Sequence, residues 1–382
     1  MYLRQLENLY MNVFVIEQLF FELLRVAIKV QNTLSRIPSA EEWDKLYRMS
    51  KKQSLVGISF AGIQRVVEYE KIYHCGMPEL LYFTWMGMAA KIQQRNEVVN
   101  RQCVELQEKL SADGFRSYIM KGQAVGSLYG QIGLLRQSGD IDVFLEGGLN
   151  KVLAYARTYG GVAKVNELEM SVSIFPDTEV EFHYRPFIMR NPFKNRRLLK
   201  YFESQEKKQF SNYLILDKEK ELSICAPTVE FNLVHQLVHT YHHFITEGVG
   251  LRQLMDYYFV VQASNAEDIR ECKKIVENLG LNRFASALMW VIKTVFVGHD
   301  NDIFFPWRPN EKDGRLLLEE ILLSGNFGHA DERAKNIQTS KWKAFWYVNG
   351  KTFRFWRFDH WAWFWSPLWR CYYFAWRIMK GF

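Results

Sequence analysis

The chain has 382 residues, 48% of them apolar and 24% charged. That balance excludes a disordered polypeptide and is enough to bury a large core in two or three units. The formal net charge of +7 is mild for this length; it suits a phosphate-bearing substrate without requiring one.

Residues 1–112 read as almost wholly helical. Leu19, Phe20, Leu23, Leu24 and Ala27 recur at helical spacing. Ser39-Ala40-Glu41-Glu42 offers an N-cap followed by acidic first-turn residues, opening a helix through Trp43 and Leu46. Met77-Pro78 breaks the chain, and a long amphipathic helix runs from residue 79 to about residue 110, ended by Asp113-Gly114. The apolar stretch 12–28 is broken by Glu17, Glu22 and Arg25, unlike a secretory signal. No apolar run approaches the roughly 18 residues of a membrane span. The five cysteines, Cys75, Cys103, Cys225, Cys272 and Cys371, are widely spaced with no Cys-x-x-Cys pair. Reduced thiols and a cytoplasmic location are therefore expected.

Residues 113–225 carry the chemistry. Tyr118-Ile119-Met120 reads as a short strand, then Lys121-Gly122, then a helix with Val125, Leu128 and Tyr129 on one stripe. A strand entering a helix through glycine leaves backbone N–H groups that bind phosphate, with Lys121 adding a point charge; an ordinary strand–helix turn is the alternative. Next comes Asp140-Ile141-Asp142-Val143-Phe144-Leu145. In a strand Asp140, Asp142 and Phe144 share one face and Ile141, Val143 and Leu145 the other. Two adjacent carboxylates repel each other unless a cation sits between them, and a hard divalent ion suits the pair. A helix follows, ended by Gly160-Gly161. Ser171-Val172-Ser173-Ile174-Phe175 and Glu179-Val180-Glu181-Phe182-His183-Tyr184 both alternate, and Pro176-Asp177-Thr178 between them makes a hairpin. Glu181 is thereby a third carboxylate on a strand able to lie beside Asp140 and Asp142. A basic helix spans residues 191–210 with Lys194, Arg196, Arg197 and Lys200, either a solvated face or a guide for a polyanionic acceptor. Residues 212–225 return as short strands.

Residues 226–340 are helical again. His235 and His239 are four apart, but neither a glutamate after the first nor a further ligand makes a zinc site, and packed histidines are the simpler reading. Arg252, Gln253 and Asp256 start or line the next helix. Eight of the chain's 12 tryptophans fall between Trp342 and Trp376. This aromatic tail, 341–382, can pack back on the body, bind a protein partner or lie peripherally on a membrane; Asp359 and Ser366-Pro367 interrupt a clean amphipathic helix.

The Lys-Gly turn, the Asp-x-Asp strand and the later carboxylate, in that order, resemble the polymerase β-type nucleotidyltransferase superfamily. Lys121-Gly122, Arg136, Asp140-Ile141-Asp142 and Glu181-Phe182-His183 look like its bacterial group of uncharacterised nucleotidyltransferases. The resemblance implies an α+β fold: a small mixed sheet flanked by helices, with helical N-terminal and C-terminal regions, divided at 1–112, 113–225, 226–340 and 341–382. It implies transfer of a nucleoside monophosphate from a nucleoside triphosphate to an acceptor hydroxyl by a two-metal mechanism. The acceptor would be a protein, a small molecule or RNA. Two Mg2+ ions, or Mn2+, would be held by Asp140, Asp142 and Glu181, with Glu181 also a base. Lys121, Gly122, Gln123, Arg136 and Ser138 would bind the nucleotide, with an ion pair holding the Asp-x-Asp loop as Arg136's other role. His183, His239, Arg252 and Asp256 would line the cleft, with strand packing and an intrachain ion pair as the competing roles of His183 and of Arg252 and Asp256. Gln123 stands where the superfamily usually has serine or glycine, which keeps open an alternative: a catalytically weak or inactive nucleotide-binding regulatory protein acting through a partner.

Overall fold

The computed structural model describes residues 2–159, 162–217, 219–298, 305–328 and 341–381. Gly160-Gly161 and the side chain of Trp342 lie outside the described residues.

Four helices open the chain: α1 (Tyr2–Ala27), α2 (Ala40–Lys52), α3 (Val56–Glu70) and α4 (Glu79–Ala112). Ser39 caps α2 as its sequence suggests, accepting from the Glu42 N–H while the Glu42 carboxylate accepts from the Ser39 N–H. Pro78 is the N-cap of α4. The α/β module follows: β1 (Ser117–Met120), α5 (Gly122–Gly126), β2 (Ile141–Leu145), α6 (Gly148–Ala156), β3 (Val162–Val165), β4 (Glu169–Val172) and β5 (Val180–His183). Helix α7 (Pro192–Gln209), capped by the Asn191 side chain, and the β6 (Tyr213–Asp217) and β7 (Leu222–Cys225) ribbon close it. Helices α8 (Val229–Thr246), α9 (Leu251–Ala263), α10 (Ala266–Asn278), α11 (Asn282–Ile292) and α12 (Glu311–Ser324) come next, then α13 (Lys341–Arg354) and α14 (Ala362–Lys380).

The sheet order is β1-β2-β5-β4-β3; β2 and β5 run parallel and the other neighbours antiparallel. The expected α+β architecture, a mixed sheet among helices, is what the chain forms. Strand β4 covers Glu169–Val172 and leaves Ser173, Ile174 and Phe175 of the expected 171–175 strand outside it, because Met170 and Val172 pair with Phe182 and Val180 of β5. One face of the sheet is apolar: Ile141, Val143, Val180 and Phe182 pack on Val99, Cys103 and Leu106 of α4 and on Val152 of α6. A second core joins α1–α3 to α8–α12 and takes in Phe355 and Phe358 of the tail.

The tail packs on the body along one side. Lys194 meets Asp359 at 2.8 Å, Tyr241 donates to the same carboxylate, and Arg190 donates to the Ser366 hydroxyl at 2.7 Å. Helix α14 runs through Ser366-Pro367 without a break, with Pro367 inside it at the cost of one intrahelical hydrogen bond. All five cysteines are free thiols, and Cys371 alone is exposed. No described helix is long and apolar enough to cross a membrane.

Helices α1 and α3 cross at Gly62, where an added Cβ would stand 2.5 Å from the Leu23 carbonyl oxygen and 2.9 Å from its Cδ1. Gly62→Ala should therefore lower stability by about 1–3 kcal/mol in denaturant unfolding. An unchanged midpoint would mean that the helices do not approach this closely.

Candidate active site

The strand register builds the site. Across the face opposite the α4 core, Met120, Asp142, Glu181 and Ser171 form one row, and Tyr118, Phe144, His183 and Glu169 the next. Asp142 and Glu181 are direct partners on the parallel pair, so the later carboxylate stands beside the Asp-x-Asp strand. Tyr118 and Phe144 stack at 4.8 Å and fill one end of this face, leaving the acidic groups at the other. Ligand atoms of Asp142, Glu181 and His183 lie within 4.8 Å of one another. Asp140, just before β2, lines the same cleft.

Asp142 is buried between two cationic partners: Lys121 Nζ at 2.8 Å and His183 Nε2 at 2.8 Å. Burial opposes its charge, but the lysine and the imidazole outweigh it and hold the carboxyl well below the usual range. The His183 Nε2 also lies 3.2 Å from Glu169 and 3.8 Å from Glu181. Burial disfavours imidazolium, yet Glu169 and the hydrogen bonds to Asp142 and Glu181 push its pKa up to about 9. Burial likewise opposes the Lys121 charge, and Asp142 and Glu169 override it, raising its pKa. Asp140 is less well supported, and the pull of Lys121 does not prevail there. The Asp142 charge, then burial, raise it to about 6. Lys121 reaches Asp142 from an uncommon backbone conformation, φ 50° and ψ −133°, followed by Gly122 at φ 20°. For a residue with a Cβ that conformation costs on the order of 1–3 kcal/mol, and the buried ion pair holds it.

The loop before Asp140 is pinned from several sides. Arg136 Nε and Nη2 each donate to Asp256 at 2.7 Å, and Tyr129 donates to Asp256 at 2.6 Å. Asn96 of α4 donates to the carbonyls of Leu134 and Arg136, Ser138 donates to Asn96 at 2.5 Å, and Arg252 donates to the Gln137 carbonyl at 2.5 Å. Gln123 is buried and donates to Asn100 on α4.

A cleft of about 480 Å3 opens over the acidic row. Lys121, Gly122, Arg136, Asp140, Asp142, Glu181, His183, His239, Arg252 and Asp256 all line it; Gln123 and Ser138 do not. Arg136 Nη1 is buried in the wall without a protein partner among the described residues. His239 Nε2 faces His243 Nε2 at 3.0 Å, and burial drives its pKa well down. His235 lies deeper, bonded to the Pro186 carbonyl and stacked on Phe231.

A family model for uncharacterised nucleotidyltransferases matches residues 39–297. The chain belongs to this nucleotidyltransferase family. No curated protein matches it. The whole acidic row, both ends of the Arg136–Asp256 pair and the histidines of α8 fall inside the matched span. Residues 298–382 fall beyond it, yet Trp369 and Tyr373 from α14 wall the cleft.

Several further cleft residues escaped sequence reading, among them Glu169, Glu167, Arg190, Trp369 and Tyr373. Glu169, beside His183, was signalled by the Met170/Val172 alternation, which places it on β4 facing the site. Glu167, whose carboxyl burial raises to about 7, precedes that strand. Arg190 and Trp369 meet at 5.0 Å across the cleft rim from segments far apart in sequence, and no local pattern predicts such a pair.

The Arg136–Asp256 pair yields a stability prediction. Asp256→Ala leaves a guanidinium buried without its carboxylate and should cost about 3–5 kcal/mol in urea unfolding. Replacing both residues, by Arg136→Met and Asp256→Leu, should recover most of it. A single-variant loss below about 1 kcal/mol would show that the pair does not clamp the loop.

Proposed function

We propose that this cleft moves a nucleoside monophosphate from a nucleoside triphosphate to an acceptor hydroxyl, with Asp140, Asp142 and Glu181 holding divalent cations. One observation carries the reading: Asp142 and Glu181 stand opposite each other on parallel strands with their ligand atoms and that of His183 within 4.8 Å. The donor set fits a hard cation. Four carboxylates, Asp140, Asp142, Glu169 and Glu181, crowd around two cationic side chains, Lys121 and His183. Magnesium takes oxygen ligands of this kind, and manganese has similar preferences. Bound there, such ions would neutralise charge on the triphosphate and polarise the reacting oxygens.

The acceptor oxygen would attack the α-phosphorus as the bond to the β-phosphate bridging oxygen breaks, releasing pyrophosphate. Glu181 would take the acceptor proton. Lys121, Arg136 and Arg252 line the cleft on the side of the Asp-x-Asp loop, and their positive charge suits the triphosphate. The catalytic contribution is positioning and charge neutralisation rather than covalent chemistry. His183 holds Asp142 and Glu181 in register.

A regulatory, weakly catalytic role draws support from Gln123. Its amide is spent on Asn100, so the turn presents no side-chain hydroxyl to a phosphate.

Mg2+ or Mn2+ should raise the melting temperature of the wild type, and Asp142→Asn should abolish that rise. With labelled nucleoside triphosphate and a broad acceptor panel, the Asp140→Ala/Asp142→Ala double variant should lose a thousandfold or more of metal-dependent incorporation. Unchanged incorporation refutes the metal-ligand assignment. Nucleotide binding without turnover in the wild type favours the regulatory role.

A further inference from the structure

We infer that α14 is an in-plane anchor for an anionic lipid bilayer, independent of the chemistry in the cleft. The helix has two unlike sides. Ser366, Trp369, Tyr373 and Trp376 turn toward the body. Phe364, Leu368, Cys371, Ala375 and Ile378 recur every three or four positions on the opposite side. All five are exposed, Ile378 by 64%, and Tyr372 and Met379 extend the strip at 58% and 73%. A continuous apolar strip open to water is unfavourable unless something covers it.

Charge selects the cover. Residues 341–382 hold eight Lys and Arg against one acidic residue, Asp359. Lys351 and Arg354 pair with Glu320 and Arg357 with Asp313 of the body. The tail's sequence gives the other five cations no carboxylate besides Asp359, which is buried and paired with Lys194. Helix α14 itself has no Asp or Glu; Arg377 and Lys380 are exposed near its C-terminal end, while Arg370 packs over the Phe345 ring. Aromatic and aliphatic side chains between arginines and lysines match the headgroup and upper acyl layer of a bilayer rich in anionic lipid. An acidic protein surface would match the cations but not an outer strip whose polar groups are only the Tyr372 hydroxyl and the Cys371 thiol. The helix lies in the membrane plane, since no described helix is apolar enough to cross.

The surface leads inward. A groove of about 830 Å3 between α7 and α14 is lined by Arg185, Arg196, Lys200, Leu368 and Tyr372. It shares Arg190 and Trp369 with the catalytic cleft. Leu368 and Tyr372 belong both to the outer strip and to this groove, so its mouth opens at the docked face.

The test uses the full chain and vesicles of phosphatidylcholine alone or mixed equally with phosphatidylglycerol. Co-sedimentation should be strong with the mixed vesicles and weak with the neutral ones, and should fall as salt screens the charge. Mixed vesicles should slow reaction of the exposed Cys371 thiol with a water-soluble disulfide reagent by about tenfold or more. Ile378→Asp should weaken vesicle binding at least about tenfold while retaining the wild-type circular dichroism spectrum. If that variant misfolds, Cys371 protection in the wild type decides alone. Equal binding to both vesicle types, or an unchanged Cys371 rate, overturns the inference. So does Cys371 protection without lipid that grows with protein concentration alongside a dimer in sedimentation, because the strip then covers a second copy of the chain.

Discussion

The site depends on keeping the Asp142 carboxylate ionised in a nearly dry position. A buried carboxylate is costly unless paired and hydrogen-bonded. Here two neighbours 2.8 Å away meet that cost, Lys121 from the turn after β1 and His183 from the end of β5. Each arrives through a different structural device. The lysine comes by way of an uncommon backbone conformation, and the histidine by the two-residue period that puts it on the same face as Glu181. The surrounding carboxylates exceed what these two cations balance, and Asp140 registers the excess as a raised pKa. The arrangement is held as an ion-paired cluster.

The helices make that cluster rigid. Asp-x-Asp enters β2 from a loop with little regular structure, which α4 and α9 hold at both ends. Asn96 takes two carbonyls of the loop, and Asp256 takes the Arg136 guanidinium in a two-pronged contact. Since α1–α3 and α8–α12 share one apolar core, the site is enclosed in a packed body. Helix α14 adds a wall through Trp369 and Tyr373, and its outer side presents an apolar surface to whatever lies beyond.

Much of the fold was legible because its signals are local. The cap at Ser39, the break at Met77-Pro78 and the period-two strands around Asp142 and Glu181 are decided within a few residues. The pairing of β2 with β5 was inferable as well, since three acidic groups on matching faces have a shared reason to converge. The wall contributed by Arg190, Trp369 and Tyr373 was hidden, because it arises where α14 packs beside the loop before α7, and nothing in either segment names the other. Helix α14 was misjudged as interrupted at Ser366-Pro367. The serine is a buried contact to Arg190, and the packing of α14 on the body carries the helix through the proline. Gln123 and Ser138 lie in the expected segments but point into α4, a matter of rotamer and packing that residue type does not encode.

The central claim concerns what fills the space between Asp142 and Glu181. A crystal soaked with Mn2+ and a non-hydrolysable nucleoside triphosphate, measured for manganese anomalous scattering, addresses it directly. The account predicts an anomalous peak coordinated by Asp142 and Glu181, with the phosphates on the side of Lys121 and Arg252. Well-ordered nucleotide with no manganese at these carboxylates, or manganese bound only elsewhere, would contradict it.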